Sequence, residues 1–579
     1  MPTLTIDGKP VTVPNGATVI QACKQIGIDI PHYCYHPGLR VVASCRMCQV
    51  EIEKMPRLQT ACSCPVAEGM VVRTDTPKAK EGRKAVLEFL LVNHPLDCPI
   101  GDKAGECDLQ NYWHDHDKAD TRRTDPRWHK PKVVDTGPTI VLDAERCVLC
   151  SRCVRFMDDV AKQPALGIVN RGHHSEIALF PGMTLDNPYS LNVVDLCPVG
   201  ALTSKDFRFK ERVWNMKAAA SVCGHCANGC NTWVEHDGRR LFRVRPRDNM
   251  QVNGYFMCDV GRLNYPMANN PARIVDAWTG SGSGRAKLDW KAAAAAVAAR
   301  FASLQTAHGP GSVAVVVSNQ APNEAVHAAV RLVRDAFPGA GLAFLKTETG
   351  LGEVRVPIAP VKPGQAAVVV PEGPLPAPAE NVGPSLADDY LLKADKNPNT
   401  RGVVEILAAA GVNENALGDL FGDIRNGRVR GLLLFDPDLA TRHPNGAQVL
   451  ADLRKLEFLA LGCTLPNSAL ESASVVLPIA TLYETEGTVT RFDGRVQRLR
   501  VAFTPRGRSR TALDAIRAVA AEAGKPFEES SVSGFFDRMA SDVKFFQGMT
   551  WAQLGTQGVV AGAATPAVAP ERRAVSGER

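Results

Sequence analysis

The chain has 579 residues, of which 45% are hydrophobic and 22% are charged, and its formal net charge at pH 7 is +6. It is too long for a single core, so about four domains are expected in an otherwise ordinary soluble protein. The small net charge argues against nucleic-acid binding, including by the arginine-rich stretch Arg239–Arg247. No apolar run approaches the roughly 20 residues needed to span a bilayer, and the start predicts a strand rather than a signal or transit peptide.

The first 93 residues predict a small domain of ferredoxin type followed by a helix. Residues 2–13 alternate apolar and polar side chains around Asp7-Gly8, which is the signal of a tight β-hairpin. A cysteine-bearing loop separates the helix that follows from the later strands. The predicted elements are a helix over Ala17–Ile26, strands over Cys48–Ile52 and Met70–Arg73, and a helix over Lys78–Asn93.

Beyond position 280 the pattern changes to strands that alternate with helices, as in a parallel sheet. Eight prolines in 357–384 predict a loop or linker, and the Ala/Gly/Pro-rich composition after 526 predicts a mobile tail. The expected helices are Lys291–Gln305, Glu324–Phe337 and Gly446–Lys455, and the expected strands are Ser312–Val317, Gly431–Phe435 and Phe458–Leu461.

Cysteine is concentrated at one end of the chain. Sixteen of the 17 cysteines lie before position 259, and only Cys463 follows. Because the chain shows no secretion signal, thiolates at short spacings indicate metal binding rather than disulfides. Four constellations follow one another, and we number them in chain order: Cys34/Cys45/Cys48/Cys62, His94/Cys98/Cys107, Cys147/Cys150/Cys153/Cys197 and Cys223/Cys226/Cys230/Cys258.

The first group has one CxxC pair, Cys45 and Cys48, between two more distant cysteines. Four thiolates arranged in this way can hold the two irons of a [2Fe–2S] cluster, whereas zinc usually takes two CxxC pairs. Cys64 competes with Cys62 as the fourth ligand. We prefer Cys62 and expect Cys64 and Cys23 to be ordinary buried thiols.

The third group is the most specific signal in the chain. Cys147, Cys150 and Cys153 form a CxxCxxC run, and Cys197-Pro198 follows after 43 intervening residues. This is the cysteine pattern with which bacterial ferredoxins hold a [4Fe–4S] cluster, except that the last cysteine lies further along the chain. Zinc sites rarely use three cysteines at this spacing.

The other two groups are less specific. The cysteine spacing of the fourth group is typical of the start of molybdopterin-type oxidoreductase domains. A structural zinc site is the alternative interpretation. The second group supplies only His94, Cys98 and Cys107, which could also be a catalytic zinc site with one open position. A P-loop, a dinucleotide fingerprint and a nucleophile–base pair are not recognisable in the sequence, so no catalytic residue is predicted.

In this order of motifs the chain resembles the large iron–sulfur subunit of respiratory complex I, NADH–quinone oxidoreductase, in its bacterial form with an extra cluster. The resemblance is strong over 1–272 and weaker over 463–497, where GTVTRFDGRVQ is similar to the family's GT…EGRVQ element. It implies a [2Fe–2S] cluster on the first group, a [4Fe–4S] cluster on the third, and the extra [4Fe–4S] cluster on the fourth.

The family's remaining [4Fe–4S] cluster uses HxxxCxxCxxxxxC, and here Gly101 replaces the middle cysteine. Because NHPLDCPI and GECDLQ still match the family, we expect a third [4Fe–4S]-type cluster on His94, Cys98 and Cys107. Asp102 or water is expected to complete it, although a carboxylate suits iron less well than thiolate does.

The resemblance also implies a fold class and a division into domains. The expected class is α+β and α/β multidomain: a β-grasp [2Fe–2S] ferredoxin-like domain, a ferredoxin-like [4Fe–4S] domain, and a molybdopterin-oxidoreductase-like α/β region without its cofactor. The expected boundaries are 1–78 for the [2Fe–2S] domain, 79–138 for the His/Cys segment, 139–215 for the [4Fe–4S] domain, 216–272 for the fourth group, 273–525 for the α/β region and 526–579 for the tail.

In the family, electrons reach such a chain from an FMN- and NADH-binding subunit and a small [2Fe–2S] subunit, and leave through a ferredoxin-like connecting subunit toward quinone. The implied location is the cytoplasmic face of the bacterial inner membrane, where the chain would be peripheral and held only through partner subunits.

Two enzymatic alternatives share motifs with this chain: the catalytic subunit of an NAD-linked formate dehydrogenase and the diaphorase subunit of an NAD-reducing hydrogenase. The first is disfavoured because no cysteine lies between Cys258 and Cys463 to bind molybdenum. A non-redox alternative is a scaffold of several zinc sites.

Overall fold

The computed structural model describes residues 1–117, 120–280, 284–345, 387–388, 390–413, 415–435 and 439–562. The proline-rich stretch 357–384 lies outside these residues. The chain divides into two compact units, Met1–Met216 and Lys217–Arg579. Within the described ranges, no helix is both long enough and apolar enough to cross a membrane.

The first unit begins with the predicted hairpin, which the structure confirms. Asp7 and Gly8 adopt φ of 45° and 81°, as a two-residue turn of the I′ kind requires. The hairpin belongs to a five-stranded sheet whose spatial order is Lys9–Thr12, Thr3–Ile6, Val71–Arg73, Gln49–Ile52 and Gln59–Thr60.

A short helix, Val19–Gln25, packs on this sheet. It begins at Thr18, whose backbone N–H donates to Gln21 Oε1 at 2.8 Å, which satisfies one of the free donors at a helix start. Val19, Ile20 and Ala22 are buried against the sheet's apolar residues. This compact frame leaves the loop after the helix to carry the first cysteines.

The rest of the first unit is built from short elements around loops. The helix Pro77–Leu91, predicted as Lys78–Asn93, precedes the second group. Helical segments follow at Cys98–Ile100, Asp108–His116, Arg152–Arg155, Phe156–Val160, Asn192–Leu196 and Val213–Asn215. The strands Leu202–Ser204, Ile140–Leu142 and Val134–Asp135 form a three-stranded sheet, and Leu166–Val169 pairs with Glu176–Leu179.

The second unit begins with a three-stranded antiparallel sheet that carries the fourth group. Its strands are Lys217–Val222, Asn231–His236 and Leu241–Pro246, and the short helices Asp259–Arg262 and Pro266–Asn269 follow. Cys223 lies directly after the first strand, Cys230 directly before the second, and Cys258 at the start of the first helix.

A seven-stranded sheet forms the centre of the second unit. The parallel arrangement that was predicted from three strands is confirmed: five strands are parallel, and two antiparallel strands extend one edge. Val313, Val315 and Val317 face one apolar core, while Ala314 and Val316 face the other, so both faces are covered. The spatial order is Ala286–Leu288, Ala277–Thr279, Val475–Pro478, Phe458–Cys463, Gly431–Leu434, Val313–Val317 and Gly341–Phe344.

Helices cover both faces of this sheet, and a smaller three-stranded sheet lies beside it. The helices are Trp290–His308, Asn323–Arg331 with its continuation Leu332–Ala336, Thr400–Ala409, Ala416–Arg425, Leu439–Arg442, Gly446–Leu453, Ala512–Glu522 and Val532–Asp542, with single turns at Pro310–Ser312, Ser468–Ser472, Leu482–Glu484 and Lys544–Phe546. The smaller sheet contains Gly487–Thr490, Arg495–Leu499 and Val559–Val560.

The region after 526 corrects the sequence-based expectation of a mobile tail. Residues through 562 are folded: the helix Val532–Asp542 inserts Phe535 and Phe536 into the main apolar core, where both are fully buried. The bulk composition is rich in small residues, but these aromatic side chains provide enough apolar surface to fix the segment.

Candidate metal centres

The structure brings the four thiols of the first group together. The Cys34 thiol contacts those of Cys45 and Cys62, and the Cys62 thiol also contacts Cys48. Left-handed backbone at Ala43 (φ 52°) and Arg46 (φ 58°) curls the loop so that its cysteines point inward.

Hydrogen bonding within this group separates the acidities of its thiols. Hydrogen bonds from Cys45 and Cys62 hold the pKa of Cys34 well below its usual range, and the same contacts together with burial raise the pKa of both partners. The Cys64 thiol instead donates from its Sγ to Pro65 O at 3.7 Å. The Cys23 thiol is buried, and burial raises its pKa to about 12. The four converging thiols fit a cluster that takes thiolate ligands.

The third group lines one buried cavity. All four thiols face it, and Leu142, Ile177 and Leu202 form part of the apolar wall. Leu149 and Ser151 adopt left-handed φ of 52° and 58°, which wraps the CxxCxxC run around the cavity. Burial raises the pKa of Cys147 to about 12 and of Cys150 to about 11. Such thiols lose their protons when a metal binds, so the group fits a cubane cluster held in an apolar pocket.

The fourth group is equally buried and is closed by backbone contacts. Cys223 N donates to Cys230 O at 2.8 Å, and Cys258 Sγ accepts from Gly261 N at 3.4 Å. A methyl group added at Gly261 would lie 2.7 Å from Cys223 Sγ, so the thiols require glycine there. Burial raises the pKa of Cys258 to about 12. Four buried thiols at this spacing fit a [4Fe–4S] cluster.

A segment from later in the chain covers the fourth group. Leu391 O lies 4.0 Å from Cys226 Sγ, and Ala227 N donates to Asp395 O at 2.9 Å. Lys396 follows, and burial lowers its pKa while the nearby Cys226 and Cys258 act in the opposite direction. The sequence analysis did not identify this cationic cover, because it lies more than 130 residues from the last cysteine of the group.

The second group also forms one small cavity. His94, Cys98, Cys107 and Gly101 line it, and Arg146 contributes to its wall. Burial, with help from the Arg146 charge, lowers the pKa of His94 to about 4, so the imidazole is neutral and able to bind a metal at neutral pH. Burial raises the pKa of Cys107.

The fourth corner of this cavity lacks a protein ligand at Gly101. Its φ of −68° is ordinary, and an added Cβ would meet Asp97 O at 3.3 Å as its nearest neighbour. Asp102, the expected substitute, uses its carboxylate Oδ1 to accept from Phe209 N at 2.6 Å and does not line the cavity. The geometry therefore favours solvent rather than Asp102, and the protein ligands fit three corners of a cubane.

Hydrogen bonds join the ligand-bearing segments of the first unit. Arg155 Nη2 donates to Cys34 O at 2.5 Å and to Cys150 O at 3.3 Å, which links the first and third groups. Asp108 N donates to Pro198 O at 2.8 Å, so the residues directly after Cys107 and Cys197 are in contact. Segments of the third group thus contact segments of both the first and the second group, which the order of motifs along the chain does not reveal.

Across the part of the chain that the structure describes, no three or more His, Cys, Asp or Glu side chains are arranged around a single metal ion.

Comparison with known families gives a consistent result. Residues 1–77 match a 2Fe-2S iron-sulfur cluster binding domain, 83–122 an NADH-ubiquinone oxidoreductase-G iron-sulfur binding region, 137–203 the ferredoxin-like domain of NADH-quinone oxidoreductase subunit 3, and 399–522 molybdopterin oxidoreductase. The chain is thus an α+β multidomain iron–sulfur protein with a C-terminal region of molybdopterin-oxidoreductase type, as predicted.

Individual relatives give a more specific similarity. The G subunit of NADH-quinone oxidoreductase from Rickettsia felis is 44% identical over 263 residues, which cover 45% of this chain and 39% of the relative. The mitochondrial NADH dehydrogenase [ubiquinone] iron-sulfur protein 1 of Solanum tuberosum is 42% identical over 296 residues, covering 51% of this chain and 40% of the relative. The predicted resemblance to the large iron–sulfur subunit of complex I is confirmed, and the matched part spans about two fifths of these relatives' length.

A solved NAD+-reducing [NiFe]-hydrogenase, in its H2-reduced state, contains a chain with 31% identity to this one. The match covers 37% of this chain and 91% of the other, with a TM-score of 0.34. At that score it supports no conclusion about shared architecture.

Proposed function

We propose that this chain is an electron-transfer subunit of an NADH–quinone oxidoreductase of the proton-translocating kind and holds no substrate site of its own. The observation that carries the proposal is the hydrogen-bonded linkage of cysteine groups in the first unit. Arg155 joins the first to the third, and the Asp108–Pro198 contact joins the third to the second. Clusters that exchange electrons must be held close together, and these contacts hold their ligand segments in that way.

The proposed cofactors follow the ligand sets. The first group would hold one [2Fe–2S] cluster, the third and fourth one [4Fe–4S] cluster each, and the second a further cluster with one iron open to solvent. When bound, such clusters supply one-electron redox chemistry at potentials set by burial and hydrogen bonding. The protein's part is to provide thiolates, exclude water with apolar walls and fix the distances between sites.

The surroundings of the second group suggest where electrons leave the first unit. Leu96, Ile100, Phe209 and Trp214 are 84%, 65%, 63% and 62% exposed, and exposed apolar residues in such number mark interaction surfaces. Arg212 Nη1 donates to Gly101 O at 2.5 Å, which ties part of this surface to the cavity wall. A ferredoxin-like connecting subunit is the proposed partner here.

The remaining partners and the location follow from the same proposal. Electrons would enter from an FMN- and NADH-binding subunit and a small [2Fe–2S] subunit. The assembly would lie on the cytoplasmic face of the bacterial inner membrane, held there by its partners.

In the α/β region we propose a bracing role without a pterin. In open α/β sheets, ligands bind outside the carboxyl ends of the strands, at the point where the strand order reverses. In this sheet the order reverses between the strands Val313–Val317 and Gly431–Leu434. The chain's own Asn399 occupies this edge: its N–H donates to Asn319 O at 3.1 Å and its Nδ2 to Ala321 O at 2.7 Å. Stoichiometric molybdenum or pterin in the purified chain would revive the formate dehydrogenase alternative.

The proposal is tested by assembling the chain with the NADH-oxidising subunits and following reduction by NADH with low-temperature electron paramagnetic resonance. We expect NADH to reduce the first and third groups. If both keep full iron and sulfide yet stay oxidised while the flavin is reduced, the chain does not conduct these electrons.

A further inference from the structure

Two buried arginines lie between the first and third cysteine groups. They flank Cys153 in the sequence Cys150-Ser-Arg-Cys-Val-Arg155 and are 7% and 2% exposed, for Arg152 and Arg155 respectively. Arg152 donates to Tyr35 O at 2.6 Å and to Leu196 O at 3.1 Å. Each of these carbonyls belongs to the direct neighbour of a cysteine, one in the first group and one in the third.

Arg155 makes the closer link, because it contacts the cysteines themselves. Its Nη2 donates to the carbonyls of Cys34 and Cys150, and its Nη1 donates to Arg40 O at 2.5 Å. The planar fork of a guanidinium fixes several acceptors at once, which a flexible ammonium does less rigidly. One side chain thus sets the separation between a ligand of each group.

Neither arginine forms a salt bridge with a carboxylate among the residues that the structure describes, although burial raises the pKa of the nearby Asp108 and the charge of Arg152 acts to lower it. A buried charge is costly unless opposite charge or strong hydrogen bonding offsets it. Burial lowers the pKa of Arg155, while Cys150 and Cys34 act in the opposite direction. Thiolate-ligated clusters on both sides would provide the missing negative charge, and a nearby cation favours a cluster's reduced, more negative form.

We propose that Arg155 is a positioning residue shared by the first and third cysteine groups, which fixes the distance between their clusters and raises the reduction potential of both. The inference rests on the clusters proposed for these groups. Iron and acid-labile sulfide are therefore measured first: their absence would contradict the proposed function and this inference with it, whereas unchanged potentials in a variant that holds its iron would contradict only the role of Arg155.

The test compares the full chain with Arg155→Met and Arg155→Lys by potentiometric titration of both clusters' paramagnetic resonance signals. In Arg155→Met we expect both clusters to be harder to reduce, with the ratio of reduced to oxidised cluster at a fixed potential falling about tenfold. Arg155→Lys keeps the charge, so its iron content and both potentials should remain near those of the unchanged chain. The resonance broadening that each reduced cluster causes in the other should change in Arg155→Lys, because the rigid fork is lost.

A matched control is Arg83→Met. Arg83 is also buried and also donates to two carbonyls, Gln49 O at 2.9 Å and Thr74 O at 2.8 Å, but it bridges no pair of cysteine groups. This variant should leave the third cluster's potential unchanged. The proposal is overturned if Arg155→Met shifts neither cluster or only one, or if Arg83→Met shifts the third cluster equally. If Arg155→Met purifies without iron, the iron content of Arg155→Lys is the test instead. Iron retained in both groups of Arg155→Lys supports the proposal, and loss of iron from both groups contradicts it.

Discussion

Replacing Gly101 with cysteine should restore the fourth protein ligand of the second group. The structure provides room, because φ at this position is −68° and an added Cβ lies 3.3 Å from Asp97 O. The neighbouring backbone must move by only a few tenths of an ångström, at a cost of about 1 to 3 kcal/mol. A fourth thiolate holds an iron that solvent alone binds weakly.

The expected magnitude is one iron per chain. With three protein ligands in the second group, the open iron is lost easily and the chain should purify with about 13 irons, whereas Gly101→Cys should hold about 14. Quantitative iron and acid-labile sulfide analysis measures the difference, and paramagnetic resonance should show a three-iron signal replaced by that of a reducible four-iron cluster.

Two variants control for this substitution. Gly101→Ala adds the Cβ without the sulfur, and Asp102→Asn removes the carboxylate that accepts from Phe209 N. Both should keep the iron content and the signal of the unchanged chain. The reasoning is refuted if Gly101→Cys and Gly101→Ala contain equal iron, or if Asp102→Asn alone removes iron from the second group.

Three further predictions concern other sites. Cys62→Ser should abolish the [2Fe–2S] signal while Cys64→Ser leaves it, and the reverse would identify Cys64 as the ligand. Gly261→Ala should remove the fourth group's four-iron signal, because the added methyl group would lie 2.7 Å from a ligand sulfur; an unchanged signal would contradict the described packing. Burial raises the pKa of the Glu324 carboxyl to about 7 from its ordinary 4.5. In the unfolded chain this carboxyl loses its proton at lower pH than in the folded chain, so the free energy of unfolding should fall by about 3 kcal/mol between pH 4.5 and 7. Glu324→Gln should abolish that fall in a denaturant titration, whereas Glu522→Gln on the surface should preserve it.

Local patterns were sufficient to predict the elements that depend on neighbouring residues. The Asp7-Gly8 hairpin follows from turn chemistry, and the strand Val313–Val317 follows from its continuous apolar run. Cysteine spacing likewise predicted the groups, because most cysteines of each group lie within one tight loop, whereas Cys62, Cys197 and Cys258 join from more distant positions.

Contacts between segments that are far apart in the sequence could not be predicted from local patterns. Arg155 meets Cys34 across 121 residues, and nothing in the CxxCxxC motif indicates which carbonyls its arginines reach. The folded segment after 526 was missed for a similar reason: composition there is dominated by small residues, but Phe535 and Phe536 find a core formed by much earlier parts of the chain.

The most direct test of the central claim is metal, sulfide and low-temperature paramagnetic resonance analysis of the purified, anaerobically handled chain. The account predicts iron with nearly equal acid-labile sulfide and, on reduction, one [2Fe–2S] signal together with signals of at least two [4Fe–4S] clusters. A chain that contains zinc with little iron, lacks acid-labile sulfide and shows no resonance on reduction would contradict it.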